Sequence, residues 1–351
     1  MPTKTKKFKV SLILPCYKVE EYLPKCLDSL LKQTLDGIEV ICINDGSPDN
    51  CLEVMKSYQK KFSGNNQLVI VDKKNAGVWI GRQDGIKKAR GEFIGFIDPD
   101  DYVNEQYCEK LYNAAIKNDA DISVCGFDRI DLDTGNLYSR EMCDPKYRKL
   151  NVEKNPGVLL EINGAPWNKF YRAELLKNMP QLKNIPKVLD DMMFLQLVFI
   201  NTKTIAFIKD SLYYYMVRKD SIINTVKPEV IPGVYAAMLE VKQYYKKERP
   251  TLLEFTDANA GLHLGVSFMY RLSENPKNEF NKIFKENLDF LNKNFPKWLY
   301  NKYVTLKYIN NNRNTNKKLR IALQFYRLHL FKFFIASYKF FIKHTGVDVK
   351  W

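Results

Sequence analysis

The chain has 351 residues, 45% hydrophobic and 27% charged, a globular composition with length for a large core, one or two domains and an appendage. Its net charge of +15 is uneven, because residues 301–351 hold eleven Lys or Arg and one acid, Asp348. No uncharged apolar run reaches the about 18 residues of a membrane span, the basic N-terminus lacks the apolar region of a signal peptide, and seven cysteines without a C-x-x-C pair read as buried reduced thiols. A cytoplasmic protein is expected.

Residues 10–14 (VSLIL) read as a buried strand closed by Pro15-Cys16-Tyr17. A helix is predicted over 20–33, where Tyr22, Leu23, Cys26, Leu27, Leu30 and Leu31 recur at helical spacing. The next strand, 40–43, stops at Asn44-Asp45-Gly46-Ser47-Pro48-Asp49. A helix over 51–62, a strand over 68–71, a loop Asn75-Ala76-Gly77 and a helix over 79–89 follow, and then a strand that ends at Asp98. Strands alternating with helices predict an α/β fold with a mostly parallel sheet and right-handed crossovers. Beyond it come a helix over 104–118, a strand over 121–125 and a weakly patterned stretch 126–165, expected to be loops over the active face. A helix from Ala173, a helix opened by Asp190-Asp191 and a strand over 204–217 complete this part; from 228 the pattern is helical.

The acidic run Asp98-Pro99-Asp100-Asp101 closes a short apolar strand. Clustered carboxylates repel one another unless a cation or hydrogen-bond donors offset them, and hard oxygen ligands suit Mg²⁺ or Mn²⁺ with substrate phosphates. The alternative is a solvated acidic turn, since Asp and Pro are ordinary turn residues. Tyr17, Asp45 and Asp98 all fall at carboxyl ends of predicted strands, where open α/β sheets bind ligands, and this convergence favours a nucleotide-type site.

Together these positions resemble the family-2 glycosyltransferases, which have the GT-A nucleotide-sugar fold: a Rossmann-like, mixed but mostly parallel sheet flanked by helices, here with a C-terminal helical extension. The family opening S-I-I-x-P-x-Y-N is matched by Ser11 to Lys18, and the Q-T after the first helix by Gln33-Thr34. The D-D-G-S-x-D loop is matched by Asn44 to Asp49, and N-x-G…A-R-N-x-G by Asn75-Ala76-Gly77 and Gly81 to Gly85. D-x-D-D is Asp98 to Asp101, the acceptor-side E-D pair is Asp190-Asp191, and the Y-R-x-x-x-S-I tail is Tyr215, Arg218 and Ser221-Ile222. In motif detail the chain is most similar to bacterial lipooligosaccharide β-1,3-galactosyltransferases. It departs from the family pattern at Lys18, Asn44, Gln83 and Asp190.

The resemblance implies a UDP-sugar donor, a cell-surface glycan or glycolipid acceptor, and Mn²⁺ or Mg²⁺. Pro15, Tyr17, Asp45, Arg82, Asp98, Pro99 and Asp100 form the expected donor site: Asp45 for the uracil N3–H, Tyr17 beside the base, Asp98 on the ribose, Asp100 on the metal. Arg82 is read either as a diphosphate partner or as an exposed helix arginine. Asp101 is a supporting acid. Asp191 is the expected general base of an inverting transfer, with Asp190 supporting it. Trp167 is either a sugar platform or a packed ring under the site. The implied organisation is a catalytic domain over 1–225, divided into a nucleotide-sugar half (1–101) and an acceptor half (102–225), and a helical region over 226–351. Two other readings are a nucleotidyltransferase on a related sheet and an inactive membrane-bound sugar-binding module.

Residues 319–343 can be laid on one helix with Leu319, Ala322, Leu323, Tyr326, Leu330, Phe333, Phe334, Phe340 and Phe341 in a charge-free sector. Arg320, Arg327, Lys332, Lys339 and Lys343 fall opposite. This predicts an interfacial helix on the inner face of the cytoplasmic membrane, not a span. The alternative is a helix docked on the protein or in a homo-oligomer. No motif supports nucleic-acid binding.

Overall fold

The computed structural model describes residues 8–218, 226–306, 308 and 317–345. The chain divides into two compact units, the first formed by 1–154, 164–180 and 201–219, the second by 155–163, 181–200 and 220–351. The division thus departs from a single cut at 225. Helix α6 (Asp190–Asn201) shows why: nine of its residues are buried, and 181–200 cluster with the helical unit. There the Tyr245 hydroxyl donates to the Gln196 carbonyl and the Arg249 guanidinium to those of Phe199 and Ile200.

The first unit is built on one ten-stranded sheet, whose main path runs β3-β2-β1-β4-β9-β6-β10-β5. Strands β1 (Phe8–Cys16), β2 (Ile38–Asp45), β3 (Gln67–Lys73) and β4 (Gly91–Phe96) pair in parallel. The central pair β1 and β2 is buried almost throughout, as parallel strands covered on both faces require. Helices α1 (Leu23–Leu31), α2 (Cys51–Gln59) and α3 (Val78–Lys88) make the crossovers. In α1, Leu23, Cys26, Leu27 and Leu30 are the buried face. At the amino ends of the strands Ser11 Oγ donates to buried Glu39 at 2.6 Å, and Arg90 Nε donates to the same carboxylate at 2.6 Å, closing the edge opposite the site.

The rest of the sheet combines β5 (Tyr102–Val103), β6 (Ile122–Asp131), β9 (Lys169–Arg172) and β10 (Thr204–Val217), with α4 (Tyr107–Asn118) and α5 (Ala173–Lys177) packed alongside. The stretch expected to be loops, 126–165, is more ordered than its pattern: β6 runs on to Asp131, and β7 (Leu137–Glu141) and β8 (Lys149–Asn151) pair with β6 and β10. These are edge strands with few buried side chains, so no apolar alternation marks them. The Gln33-Thr34 pair ties α1 to the start of α4: Gln33 Nε2 donates to the Asn104 carbonyl at 2.8 Å, and its Oε1 accepts from the Cys108 amide at 2.9 Å. All seven cysteines are free, six of them buried.

The second unit is helical beyond 226, as expected, with helices at Ile231–Glu248, Leu253–Ala260, Met269–Glu274, Phe280–Asn294, Lys317–Arg327 and Phe331–Thr345. Gly261–Phe268 is a π-helical segment packed by Trp298 and by Tyr326, whose hydroxyl donates to the Gly265 carbonyl. The single tail helix expected over 319–343 is two helices, because the first ends at Arg327 and His329 takes a left-handed φ of 57°. Leu319, Ala322, Leu323 and Tyr326 are buried, and so is Arg320, expected on the polar side, whose guanidinium lies over the Tyr308 ring at 4.7 Å. In the second helix Phe331 and Ile335 are buried, while Phe333, Phe340 and Phe341 are 68%, 64% and 51% exposed. The Lys343 side chain lies outside the described residues. Among the described residues no helix is long and apolar enough to cross a membrane.

Candidate active site

Strands β2, β1 and β4 are neighbours and parallel, so their carboxyl ends open on one edge. Chain order reverses between β1 and β4, the switch point at which open α/β sheets take ligands. Tyr17 follows β1, Asp45 ends β2, and Asp98 stands two residues beyond β4. Tyr17 is 45% exposed, with the Lys18 ammonium 5.5 Å from its ring. Lys18 itself has φ of 56°, and its amide donates to Ser47 Oγ at 2.8 Å. Pro15 lies in β1 under α3, against Gly81.

Asp45 is buried, and its carboxylate accepts from the Ala76 and Gly77 amides at 2.9 and 2.8 Å. It thereby fastens the loop that opens α3. Gly46 makes this approach possible: its φ is +63°, and a Cβ there would sit 2.7 Å from the Asn75 nitrogen. A carboxylate has about four acceptor positions, so two amides do not exhaust Asp45. Lys73 stands 3.7 Å from Asp45 and 2.8 Å from Asp84, and its hydrogen bond holds the Asp84 carboxyl below the usual range.

Arg82 is buried rather than exposed on its helix, and its Nη2 lies 3.7 Å from Asp98 Oδ1. Pro99 is buried between the acids. The three carboxylates of the turn point to different partners. Asp98 is beside Arg82. Asp100 Oδ2 is 2.5 Å from Arg218 Nη2. Asp101 is buried, accepting from the Met216 amide and the Tyr213 hydroxyl, both at 2.8 Å. Burial pushes the Asp101 carboxyl up, with the Asp100 and Asp98 charges adding to it and the two hydrogen bonds opposing.

Among the described residues no group of three or more His, Cys, Asp or Glu side chains is arranged to hold a metal ion. The donor set fits a hard cation that takes one or two carboxylates from the protein and its other oxygens from phosphate and water, the usual Mg²⁺ pattern. Asp98 and Asp100 have 28% and 18% of their side chains open to solvent, whereas Asp101 is the acid buried and held by a backbone amide.

Residues 11–179, which carry this rim and the acidic turn, match the glycosyl transferase family 2. The chain carries a family 2 glycosyltransferase domain. It is 30% identical to the glycosyltransferase GlyA of Streptococcus pneumoniae over 241 residues, 66% of this chain and 34% of that one. It is 29% identical to the poly(ribitol-phosphate) beta-glucosyltransferase of Bacillus spizizenii over 242 residues, 66% of this chain and 36% of that one. The chain therefore spans about a third of the length of these two curated relatives. The structure of S. aureus TarS 1-349 in complex with UDP-GlcNAc has a similar fold, with a TM-score of 0.69 at 23% identity over 95% of this chain and 92% of that one. The architecture of the glycosyltransferase is thus the GT-A fold with a C-terminal helical part.

Of the two readings of Trp167, the structure shows the packed ring under the site rather than the sugar platform. Its ring is 4% exposed, stacked on Tyr213 at 4.3 Å and Tyr215 at 5.5 Å, with Phe127 edge-on at 4.8 Å, and has no open face for a ligand. It packs beneath the end of β10 instead. Asp190 and Asp191 open α6 of the second unit, in its first turn, as expected. The residue before them, Leu189, has φ of 60°, a conformation a branched side chain seldom adopts, and its carbonyl accepts the Met193 amide. Sequence reasoning missed Tyr213, whose hydroxyl serves the acidic turn, and gave Arg218 no role although it lay in the Tyr215…Arg218 motif. The Ser221-Ile222 end of that motif lies outside the described residues.

Proposed function

We propose that the glycosyltransferase moves a sugar from a UDP-linked donor to a cell-surface glycan or lipid-linked acceptor, with inversion at the anomeric carbon. The observation that carries this is the shared edge at the β1/β4 switch point, where Tyr17, Asp45, Asp98 and Asp100 stand at or just beyond the carboxyl ends of neighbouring strands within a family 2 domain. In this reading Asp45 accepts from the uracil N3–H, Tyr17 flanks the base, Asp98 holds the ribose and Arg82 faces the diphosphate. Asp100 holds Mn²⁺ or Mg²⁺, which offsets charge on the departing nucleoside diphosphate. Asp191 takes the proton of the acceptor hydroxyl, and Asp190 supports it at the helix N-terminus. Galactose in a β-1,3 linkage is the refinement that the motif resemblance supports.

The test is UDP release across a panel of UDP-sugars, with Mn²⁺ or with EDTA. One donor should stand out and EDTA should abolish its turnover; EDTA-insensitive release would remove the metal from the reading, and release from no UDP-sugar would remove the donor class.

The reading extends to a peripheral seat on an anionic membrane. Its support is the outward aromatic face of Phe331–Thr345 in a tail with eleven basic residues, since aromatic side chains with lysine neighbours suit the interface.

A further inference from the structure

The acid assigned above to the cation already has a positive partner. Arg218 Nη2 lies 2.5 Å from Asp100 Oδ2, with 39% of the arginine side chain and 18% of the aspartate open to solvent. The guanidinium also stands 5.3 Å from the centre of the Tyr22 ring. This meeting is built by the fold rather than by a loose surface encounter. Arg218 is the first residue after β10, and two residues earlier the Met216 amide is pinned to Asp101 Oδ1. Tyr213, further back on the same strand, is pinned to Asp101 Oδ2. One buried acid of the turn thus fixes the strand end, and the next acid receives the arginine that leaves it.

A guanidinium and a divalent cation compete for the same carboxylate oxygen, and side by side they repel. We infer that Arg218 is a positioning residue that neutralises Asp100 until the donor arrives, so that cation binding is coupled to nucleoside diphosphate binding. The inference rests on the reading of Asp100 as the cation ligand. The diphosphate supplies what the exchange requires: oxygens that complete the cation's shell, and an anion for the displaced guanidinium, whose planar fork matches phosphate. The free protein then binds the cation weakly, and the nucleotide and cation enter together.

The test is free Mn²⁺ measured by electron paramagnetic resonance during titration of the wild type, Arg218→Gln, Arg218→Lys and Asp100→Asn, each with and without UDP. Without UDP, Arg218→Gln should bind Mn²⁺ roughly 1.5- to fivefold more tightly than wild type, the span expected for loss of a partly exposed ion pair. With Mn²⁺ present, the same variant should bind UDP more weakly. Arg218→Lys, which keeps the charge, should return the UDP-free Mn²⁺ affinity toward wild type. Unchanged or weaker UDP-free Mn²⁺ binding by Arg218→Gln overturns the coupling. If Asp100→Asn with UDP holds Mn²⁺ as well as wild type does, the Asp100 assignment itself fails, a different result from the first.

Discussion

The Tyr213 hydroxyl donates to Asp101 Oδ2 at 2.8 Å and accepts the Asp98 backbone amide at 3.1 Å, so one buried phenol joins both ends of the acidic turn. Tyr213→Phe removes the oxygen and leaves a buried carboxyl and an amide short of partners. The loss expected is about 1–3 kcal/mol in urea unfolding, with weaker UDP binding. Wild-type stability with wild-type UDP affinity would show that the turn holds itself.

Helix α3 lies against β1 at Gly85, where an added Cβ would stand 2.4 Å from Ile13 Cγ2. Alanine in an open helix interior would stabilise by up to about 1 kcal/mol. Here overpacking should reverse the sign, giving about 1–3 kcal/mol of destabilisation for Gly85→Ala. A variant as stable as wild type or more so would reject the close approach.

Asp191→Asn tests the proposed base. Transfer to acceptor should fall roughly 10²–10⁴-fold, the usual worth of a positioned base, while UDP affinity holds. Near-full transfer would end the assignment. Asp190→Asn should lose much less.

Burial pushes the Glu161 carboxyl up to about 7 from its ordinary 4.5, against the pull of the Arg320 charge. The folded chain therefore keeps a proton that the unfolded chain has released. Stability from this group is full below pH 4.5, falls as pH rises from 4.5 to 7, and levels off above. Glu161→Gln should flatten that slope, with a gain over wild type of up to about 3 kcal/mol at pH 8 and little at pH 4. The check is urea unfolding of both proteins at the two pH values; an equal difference at both would refute it.

Replacing Phe333, Phe340 and Phe341 together by Ser should abolish sedimentation with phosphatidylglycerol vesicles and leave stability within about 0.5 kcal/mol, because all three rings are more than half exposed. Unchanged sedimentation would exclude this face from membrane contact. Deleting the tail from 315 is the poorer experiment, since Leu319, Ala322, Leu323 and Tyr326 belong to the core of the second unit.

Much of the donor edge was legible in the chain itself. Mostly apolar runs of four or five residues stopped by Pro15, Asn44 and Asp98 have few solutions other than buried parallel strands, and such strands deliver their last residues to one edge. The two acids in the first turn of α6 were equally readable, because helix starts favour negative charge. The edge strands β7 and β8 were not, since neither carries an apolar face to give it a period.

The sequence by itself determined the strand–helix alternation, the residues on the donor edge and the basic tail, because local periodicity and turn chemistry act over a few residues. Only the tertiary structure decided partners. Tyr213 meets Asp101 across 112 residues, Trp167 is covered by Phe127 and Tyr213, and Arg320 is carried inward by the helix face around it. Such pairings follow from sheet register and packing between distant segments, which no local pattern encodes. The pairing of Arg218 with Asp100 is of the same kind: the motif supplied both residues, and the end of β10 brought them together.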